Sequence, residues 1–233
     1  MNKINLFCFG FGQVAKNFVK LLQSKGSNFE LNITSRDKTE DKKFDHINYK
    51  NFYFDGKTFD RDLIKKLEIS DHILISIPPV DGSDVVIKNF KEYLKDNKNK
   101  WITYLSATSV YGNHNGEWVD ESSKTSPTSS NGINRLNSER SWITLFQDFN
   151  SSVQVFRLSG IYSNRYNILN RIKKGEAKII KKKNHFFSRI HVDDIAEILF
   201  KSIEKFKKGE IYNISDDKPA SMEEVTKYAT KLL

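Results

Sequence analysis

Two glycines separate an apolar run from a helix-like pattern near the start of the chain. Residues 10–15 read GFGQVA, which has the spacing G-x-G-x-x-A directly after the strand-like run INLFCF. Gly10 permits a sharp turn, Gly12 lets the backbone approach a ligand, and Ala15 lets a helix pack closely on the strand. The first amide groups of that helix are unpaired donors that attract phosphate. The spacing predicts a bound dinucleotide, and the alternative is a turn that serves packing alone. The predicted contacts are Gly10, Phe11, Gly12, Gln13 and Val14.

The end of the second strand-like run indicates which dinucleotide is bound. A protein that selects NAD usually has Asp or Glu at this point, on the hydroxyls of the adenosine ribose. This chain has Thr34, Ser35 and Arg36 instead, so the run ends neutral and then cationic. A guanidinium suits the 2′-phosphate of NADP. We therefore expect NADP, with Ser35 and Arg36 at its ribose. NAD is the alternative, because Asp37 follows one residue later.

The elements that must position this turn alternate between strand-like and helix-like patterns. Apolar runs of strand length occur in INLFCFG, FELNITSR, NYKNFYFDG, DHILISIPP, WITYLS and VQVFRL. Helical spacing of apolar residues follows most of these runs, as at Val14, Phe18, Leu21 and Leu22. Such alternation predicts an α/β fold with a doubly wound parallel sheet of the Rossmann type.

Beyond Gly160 the alternation loosens. We expect a short helix in NILNRIKKGE, a basic hairpin in KIIKKKNHFFSRI, a helix from Asp193, a strand in EIYNIS, and a helix opened by a capping box at Ser221 and Glu224. The interpretation is a Rossmann-type core over residues 1–160 and a small C-terminal cap over residues 161–233. The cap is expected to pack on the substrate side of the core within one structural unit.

The composition argues against several other classes of protein. The sole cysteine, Cys8, lies in the first apolar run, which excludes a disulfide framework and favours a reducing compartment, the cytoplasm. No stretch approaches the roughly 20 apolar residues of a membrane span, so no membrane partner is expected. The net charge is +9, but the lysines form short clusters on different predicted elements, which indicates a solvated surface. No nucleic acid and no metal site are expected.

Six segments that span nearly the whole chain are FGFGQVA, ILISIPPVDG, SATSVYGNHNGEWVDESS, VFRLSGIYS, SRIHVDDIA and EIYNISDDKPAS. Together they resemble the short-chain dehydrogenase/reductase superfamily, in particular its atypical NAD-dependent epimerase/dehydratase-like members. The resemblance implies a Rossmann-type sheet, bound NAD(P), and a substrate cleft between the sheet and the cap. It also implies cofactor contacts at the strand ends: Asp55 by the adenine, Ser76, Ile77 and Pro78 along the adenosine, and Ile161 by the nicotinamide. We add Ser106, at the end of WITYLS, to this set.

The same resemblance locates the reactive positions, and all three have changed. Active relatives have Tyr-x-x-x-Lys at the start of the long helix, with a glutamate four residues after the lysine. Glu139 sets the register, so the tyrosine position is Asn131 and the lysine position is Arg135. The Ser/Thr position falls on Ala107, and Thr108 is a neighbouring hydroxyl. Asn131, Arg135 and Thr108 are the predicted catalytic residues.

The changes preserve binding groups better than proton chemistry. An asparagine amide donates hydrogen bonds but does not titrate, and arginine stays protonated. One helical turn apart, Asn131 and Arg135 share a helix face, which could face a ligand or could be ordinary surface. His191 and Arg189 are further candidates, for a substrate: the resemblance places His191 beside it, and arginine suits an acidic group. Arg157 was a similar candidate, with a structural salt bridge as its alternative.

These observations predict an NAD(P)-binding protein of the atypical dehydrogenase/reductase kind. The expected activity is that of an oxidoreductase or epimerase/dehydratase on a small polar or sugar-nucleotide substrate. The alternative is a non-catalytic dinucleotide-binding or regulatory protein, because the residues for proton transfer are altered. A small-molecule substrate is the expected partner, and a monomer or homodimer the expected assembly.

Overall fold

The computed structural model describes residues 3–80, 82–95, 101–179 and 184–233. In chain order the strands are β1 (Ile4–Phe9), β2 (Phe29–Ser35), β3 (Glu40–Phe44), β4 (Ile47–Tyr53), β5 (His72–Ile75), β6 (Trp101–Ala107), β7 (Val153–Leu158), β8 (Gly160–Tyr162), β9 (Arg189–His191) and β10 (Ile211–Ile214). Eight of them form one sheet in the order β10-β7-β6-β5-β1-β2-β4-β3. All neighbours in that sheet are parallel except β3 and β4. Strands β8 and β9 form a separate parallel pair.

Helices cover both faces of the large sheet, as the predicted doubly wound fold requires. They are α1 (Gln13–Ser24), α2 (Asp62–Ile69), α3 (Val85–Leu94), α4 (Ser130–Phe149), α5 (Ile168–Lys173), α6 (Val192–Glu204) and α7 (Met222–Lys231), with a 3₁₀ turn η1 (Thr108–Val110) after β6. Apolar residues of α1 and α6 pack on one face, and those of α2, α3 and α4 pack on the other. The predicted fold class is confirmed.

Burial on both faces explains why the central strands read as continuous apolar runs. Every residue of β7 and all but the last of β6 are buried. Helix α1 buries the stripe that its spacing predicted, including Val14, Phe18 and Leu22. On the opposite face Trp142 of α4 is fully buried, and its indole N–H donates to Asp84 Oδ2 at 2.9 Å. Residues far apart in the chain thus pack together between the sheet and its helices, as in other parallel α/β folds.

One edge strand departs from the predictions, and one predicted hairpin is not tested. Strand β3, with the sequence EDKKF, was not predicted, because charged residues conceal an edge strand that pairs on one side only. The predicted basic hairpin KIIKKKNHFFSRI includes residues 180–183, which lie outside the described residues, so it stays a prediction. Its last residues belong to β9, which pairs in parallel with β8. The capping box at Ser221 and Glu224 is confirmed at the start of α7.

The segment after Gly160 supplies two groups of elements. Strand β10 and helix α6 extend the core, and α5, α7 and the β8–β9 pair lie beside it. The division into residues 1–160 and 161–233 stays a prediction. Within the described ranges, no helix is long and apolar enough to cross a membrane.

Candidate functional site

The turn between β1 and α1 accepts only glycine at its first position. Gly10 has a φ of +87°, and a Cβ there would lie 2.9 Å from Ser76 Oγ and 3.1 Å from Ile77 Cγ1. The Gly10 N–H donates to Thr34 Oγ1 at 3.0 Å, and the Ser76 hydroxyl donates to the Phe9 carbonyl oxygen at 3.0 Å. The ends of β1, β2 and β5 are thereby held together around the turn.

The start of α1 is open in front of Gly12. Gly12 is the N-cap residue, and neither a side-chain cap nor an acidic residue occupies the first turn. A Cβ at Gly12 would meet no heavy atom within 4 Å of it. The unpaired amides and the helix dipole therefore remain available to an anion. These residues fit the diphosphate of a dinucleotide.

The other residues of this turn differ in what their side chains contact. The ring of Phe11 packs against Phe44 and Tyr49 of the β3–β4 hairpin, at centroid distances of 5.4 and 5.2 Å. Val14 is buried in the core and could reach a ligand only through its backbone, whereas the Phe11 side chain is partly exposed. Gln13 Oε1 is buried and has no hydrogen-bond partner among the described residues.

The end of β2 presents a free guanidinium beside an acid that is already paired. Arg36 is exposed, and among the described residues no carboxylate lies within ion-pair distance of it. Asp37 instead accepts a hydrogen bond from Lys42 Nζ at 2.8 Å. A cavity of about 480 Å³ adjoins this turn. It is lined by Arg36, Lys38, Thr39, Tyr53, Thr58, Phe59 and Asp60.

The carboxylate of Asp55 is used to close the loop after β4. Its Oδ1 accepts bonds from the Thr58 and Lys57 N–H groups, both at 2.8 Å, and its Oδ2 accepts one from the Tyr53 hydroxyl at 2.9 Å. These bonds, above all those from the Thr58 and Lys57 backbone, hold the pKa of Asp55 well below its usual range. Its predicted contact with adenine is not tested by this arrangement and stays a prediction.

The remaining predicted cofactor residues lie at the carboxyl edge of the sheet. Ser76 and Ile77 contact the Gly10 turn as described, and Pro78 after them is exposed. Ser106 is buried at the end of β6, and its hydroxyl has no partner in the part of the chain that is described. Ile161 lies on β8, at the wall of the large cavity described below.

The two helix positions that replace the catalytic pair have different surroundings. Asn131 is exposed in the first turn of α4. Arg135 is half-buried, and its Nη1 donates to the Leu105 carbonyl oxygen at 2.6 Å and to the Tyr104 hydroxyl at 3.4 Å. Burial raises the pKa of Tyr104 to about 12, so this hydroxyl stays protonated near neutral pH. Arg135 is therefore fixed against β6 by these hydrogen bonds. The Tyr104 hydroxyl beside it does not release its proton near neutral pH, so it cannot serve as a base.

The start of α4 lies unusually close to the loop after β6. A Cβ at Gly132 would be 2.6 Å from the Ser109 carbonyl oxygen and 2.8 Å from Pro127 Cβ. Gly132 is therefore required for this packing, and sequence reasoning missed it. Its signal was a glycine within the first turn of a helix, where glycine is unfavourable unless space demands it.

A buried ion pair joins α4 to β7. Arg157 Nη2 lies 2.9 Å from Glu139 Oε2, and the two side chains are 5% and 3% exposed. Arg157 Nη1 also donates to the Tyr111 hydroxyl at 2.9 Å, and that hydroxyl donates to Asn213 Oδ1 at 2.7 Å. Arg157 is thus in a structural salt bridge, which was the alternative to a substrate contact. Tyr111 thereby links β7 to β10, a contact that no motif marks because its partners are 46 and 102 residues away in the chain.

A cavity of about 1110 Å³ lies between the carboxyl edge of the sheet and the C-terminal segment. Thr108, Ile161 and Arg189 are the predicted site residues that line it, and Asn131 and Arg135 do not. Burial lowers the pKa of Arg189, whose Nη1 donates to the Phe187 carbonyl oxygen at 2.8 Å. Further charged and aromatic groups of the wall were not predicted as site residues, because no motif marks them as such. They are His114, Glu117, Trp118, Arg165, Tyr166, Arg171, Lys174, Glu176, His185, Phe186 and Asp216.

His191 lies outside this cavity wall. Its Nδ1 accepts a hydrogen bond from the Asp193 N–H at 3.3 Å and so caps α6, and its ring packs against Tyr162 at a centroid distance of 5.1 Å. His191 is thus the N-cap residue of α6, and the two acidic residues that follow it lie in the first helical turn, where the helix dipole favours negative charge. A substrate contact of His191 stays a prediction.

The doubly wound sheet and the open helix start together define a Rossmann-type dinucleotide-binding protein. More particularly, the chain belongs to the NAD-dependent epimerase/dehydratase family, whose model matches residues 85–215. This confirms the family resemblance seen in the sequence.

Individual relatives agree with this assignment. The chain is 25% identical to an ADP-L-glycero-D-manno-heptose-6-epimerase of Brachyspira hyodysenteriae, over 94% of this chain and 77% of that protein. It is 30% identical to a conserved protein of unknown function from Silicibacter pomeroyi DSS, with a TM-score of 0.83 over 100% of this chain and 78% of that one. A UDP-glucuronic acid 4-epimerase from Bacillus cereus, solved in complex with NAD, shares the fold at 18% identity. Its TM-score is 0.79, over 99% of this chain and 83% of that one.

Proposed function

We propose that the chain binds NADP(H), with its diphosphate at the start of α1 and its adenosine ribose at Ser35 and Arg36. The observation that supports this best is the uncapped helix start, where Gly12 leaves open space in front of the first-turn amides. The free guanidinium of Arg36 and the paired state of Asp37 favour a 2′-phosphate over a bare ribose. Ser76, Ile77, Pro78, Asp55 and Ser106 complete the proposed cofactor site, and Ile161 is proposed to lie by the nicotinamide.

The proposed substrate site is the cavity of about 1110 Å³. Its arginine and lysine side chains suit an anionic group, beside the carboxylates of Glu117, Glu176 and Asp216 that also line it, and its aromatic side chains offer flat surfaces for a ring. A relative named for a nucleotide-linked sugar, the heptose epimerase, motivates a sugar-nucleotide or other small polar carbonyl or alcohol as substrate. Thr108 and Arg189 would position it. When bound, the nicotinamide supplies hydride transfer.

In this proposal Asn131 and Arg135, which stand at the family's tyrosine and lysine positions, bind other groups but do not transfer protons. Arg135 keeps a positive charge at the family's lysine position but is bonded to the Leu105 carbonyl oxygen, and Asn131 offers an amide that does not titrate. A substrate hydroxyl proton would therefore leave through solvent or another group of the cavity. We accordingly expect slow turnover from an oxidoreductase or epimerase/dehydratase of this kind, since a positioned acid or base contributes about 10²- to 10⁴-fold.

Fluorescence titration of the purified protein with NADPH and NADH tests the cofactor proposal. We expect tighter binding of NADPH than of NADH in the wild type, and loss of that preference in Arg36→Ala with NADH binding retained. Equal affinities for both in the wild type contradict the preference for NADP. Binding of neither refutes the proposed function as a whole.

The alternative function is that of a non-catalytic dinucleotide-binding or regulatory protein. The observation that favours it is that neither Asn131 nor Arg135 lines the large cavity. Turnover of NADPH against a panel of carbonyl compounds and sugar nucleotides separates the two. Activity that falls in Asn131→Ala and Arg135→Ala supports the enzyme. Cofactor binding without any turnover, together with a protein partner recovered only when cofactor is present, supports the alternative.

The remaining expectations are part of the same proposal. The division into a core of residues 1–160 and a cap of residues 161–233 accommodates the cavity between them. We also propose a monomer or homodimer in the cytoplasm, the reducing compartment suggested by the single, buried Cys8. Size-exclusion chromatography with light scattering measures the assembly directly.

A further inference from the structure

Lys42 of the edge strand β3 forms an ion pair with Asp37, the acidic residue that follows β2. Lys42 Nζ lies 2.8 Å from Asp37 Oδ2 and 3.4 Å from Glu40 Oε1. The Lys42 side chain is 27% exposed, and the Asp37 side chain 68% exposed. The bond with Asp37 raises the pKa of Lys42, so the ammonium is retained. Asp37 is the residue that would accept hydrogen bonds from the ribose hydroxyls in an NAD site.

The hairpin is held in a fixed position relative to β2. Asn51 of β4 is fully buried, and its Nδ2 donates to the carbonyl oxygens of Lys38, at 2.8 Å, and Asp37, at 3.3 Å. Thr39 Oγ1 accepts a bond from the Tyr53 N–H at 3.0 Å. The turn from Asp37 to Thr39 is therefore anchored to a buried strand, and Lys42 reaches Asp37 from an ordered backbone.

We propose that Lys42 is a specificity-determining residue for the dinucleotide, an inference that rests on the proposed binding of NADP(H). The Lys42 ammonium neutralises Asp37 and occupies one of its oxygens. The carboxylate then repels a 2′-phosphate less and has one oxygen fewer for a ribose hydroxyl, and the exposed Arg36 next to it has no ion-pair partner among the described residues that competes with the phosphate. The unpredicted strand β3 thus selects the cofactor through an acid that by itself would favour NAD.

The neighbouring lysine provides a matched control. Lys43 follows Lys42 on β3, has an exposed side chain on the other side of the strand, and carries the same charge. Lys43→Ala removes one positive charge from the hairpin and leaves the pair of Lys42 and Asp37 intact. Asp37→Asn, alone and combined with Lys42→Ala, completes a double-mutant cycle.

The measurements are dissociation constants for NADPH and NADH at low and at physiological salt, with a thermal melt of each variant as a folding check. For Lys42→Ala we expect NADPH affinity to fall about three- to tenfold at low salt, because a phosphate of nearly two charges then faces an unpaired carboxylate. NADH affinity should stay the same or rise. Asp37→Asn in the Lys42→Ala background should return the ratio of the two constants to within about twofold of the wild type, because the repelling charge is gone.

The outcomes distinguish this inference from the proposed function. If the wild type prefers NADPH but Lys42→Ala and Lys43→Ala lower that preference equally, the Lys42 proposal is wrong and the NADP assignment stands. If Asp37→Asn in the Lys42→Ala background does not restore the preference for NADPH, the Lys42 proposal is likewise wrong and the NADP assignment stands. A wild type that prefers NADH, or that binds neither dinucleotide, overturns both.

Discussion

A carboxylate at position 12 should strengthen the fold and abolish dinucleotide binding at the same time. Gly12 has a φ of −80° and a ψ of −168°, which any residue adopts, and nothing lies within 4 Å of a Cβ there. An Asp at this N-cap would accept bonds from the first-turn amides and interact favourably with the helix dipole, worth about 0.3–1 kcal/mol. Reduced freedom of the unfolded chain adds about 0.4–1 kcal/mol. Together these contributions are about 0.7–2 kcal/mol, so for a chain of this length we expect Tm to rise by roughly 1–8 °C.

The same carboxylate would stand where the diphosphate is proposed to bind. At about 5 Å and an effective dielectric constant of about 20, one pair of like charges costs about 3 kcal/mol, which is a loss of more than 100-fold in affinity. The assay is NADPH fluorescence titration beside differential scanning fluorimetry of Gly12→Asp. NADPH affinity within a few-fold of wild type would refute the placement of the diphosphate at α1.

Gly10→Ala is the matched control for this experiment. A side chain at its φ of +87° is strained by about 1–2 kcal/mol. The contact of 2.9 Å with Ser76 Oγ adds to that strain. This variant should lose stability as well as binding. A Gly12→Asp protein that is destabilised like Gly10→Ala would show that the space at Gly12 is not free.

Three further changes test other parts of the structure. Glu139→Gln should lower the free energy of unfolding by about 3–5 kcal/mol in urea, because it leaves the Arg157 guanidinium buried without its counter-charge, and a loss under about 1 kcal/mol contradicts that burial. Gly132→Ala should be destabilised by about 1–3 kcal/mol, because the new methyl group meets the Ser109 carbonyl oxygen. Gly175→Ala is its control: a Cβ there meets nothing within 4 Å, so this variant should show only the backbone strain of its φ of +69°. The folded pKa of Asp55 is depressed, so its contribution is present above the unfolded pKa of about 4 and is lost as pH falls below it. The stability difference between wild type and Asp55→Asn should therefore shrink on acidification from pH 6 to pH 3 in thermal melts, and a difference that grows would show that the Asp55 bonds do not form.

Features set by neighbours in the sequence were predictable. The G-x-G-x-x-A turn, the buried strands and the long helix α4 all follow from local spacing and burial, and their positions agree with the structure. The carboxyl ends of parallel strands meet at one edge, so the approximate location of the cofactor site followed from the fold class.

Features that depend on distant partners were not predictable. Arg157 and Glu139 are 18 residues apart, and their burial is decided by how α4 packs on β7. The charged and aromatic residues that line the large cavity come from several loops and from helix α5, which are far apart in the chain, and their spacing does not predict where their side chains point. Strand β3 has too many charges to resemble a strand, and its pairing with β4 depends on a turn at Asp45, which has a φ of +52°.

Strand β3 is bonded to β4 alone and ends the sheet, so its charged side chains can change with little effect on the core, against which only Phe44 of this strand packs. Its side chains nevertheless reach both Asp37 and Phe11, the two flanks of the proposed cofactor entrance. Substitutions in this one peripheral hairpin could therefore alter dinucleotide choice while the cavity proposed for the substrate, on the opposite half of the sheet, keeps its shape. Evolution or engineering could therefore change the dinucleotide preference and the substrate range of this protein independently of each other.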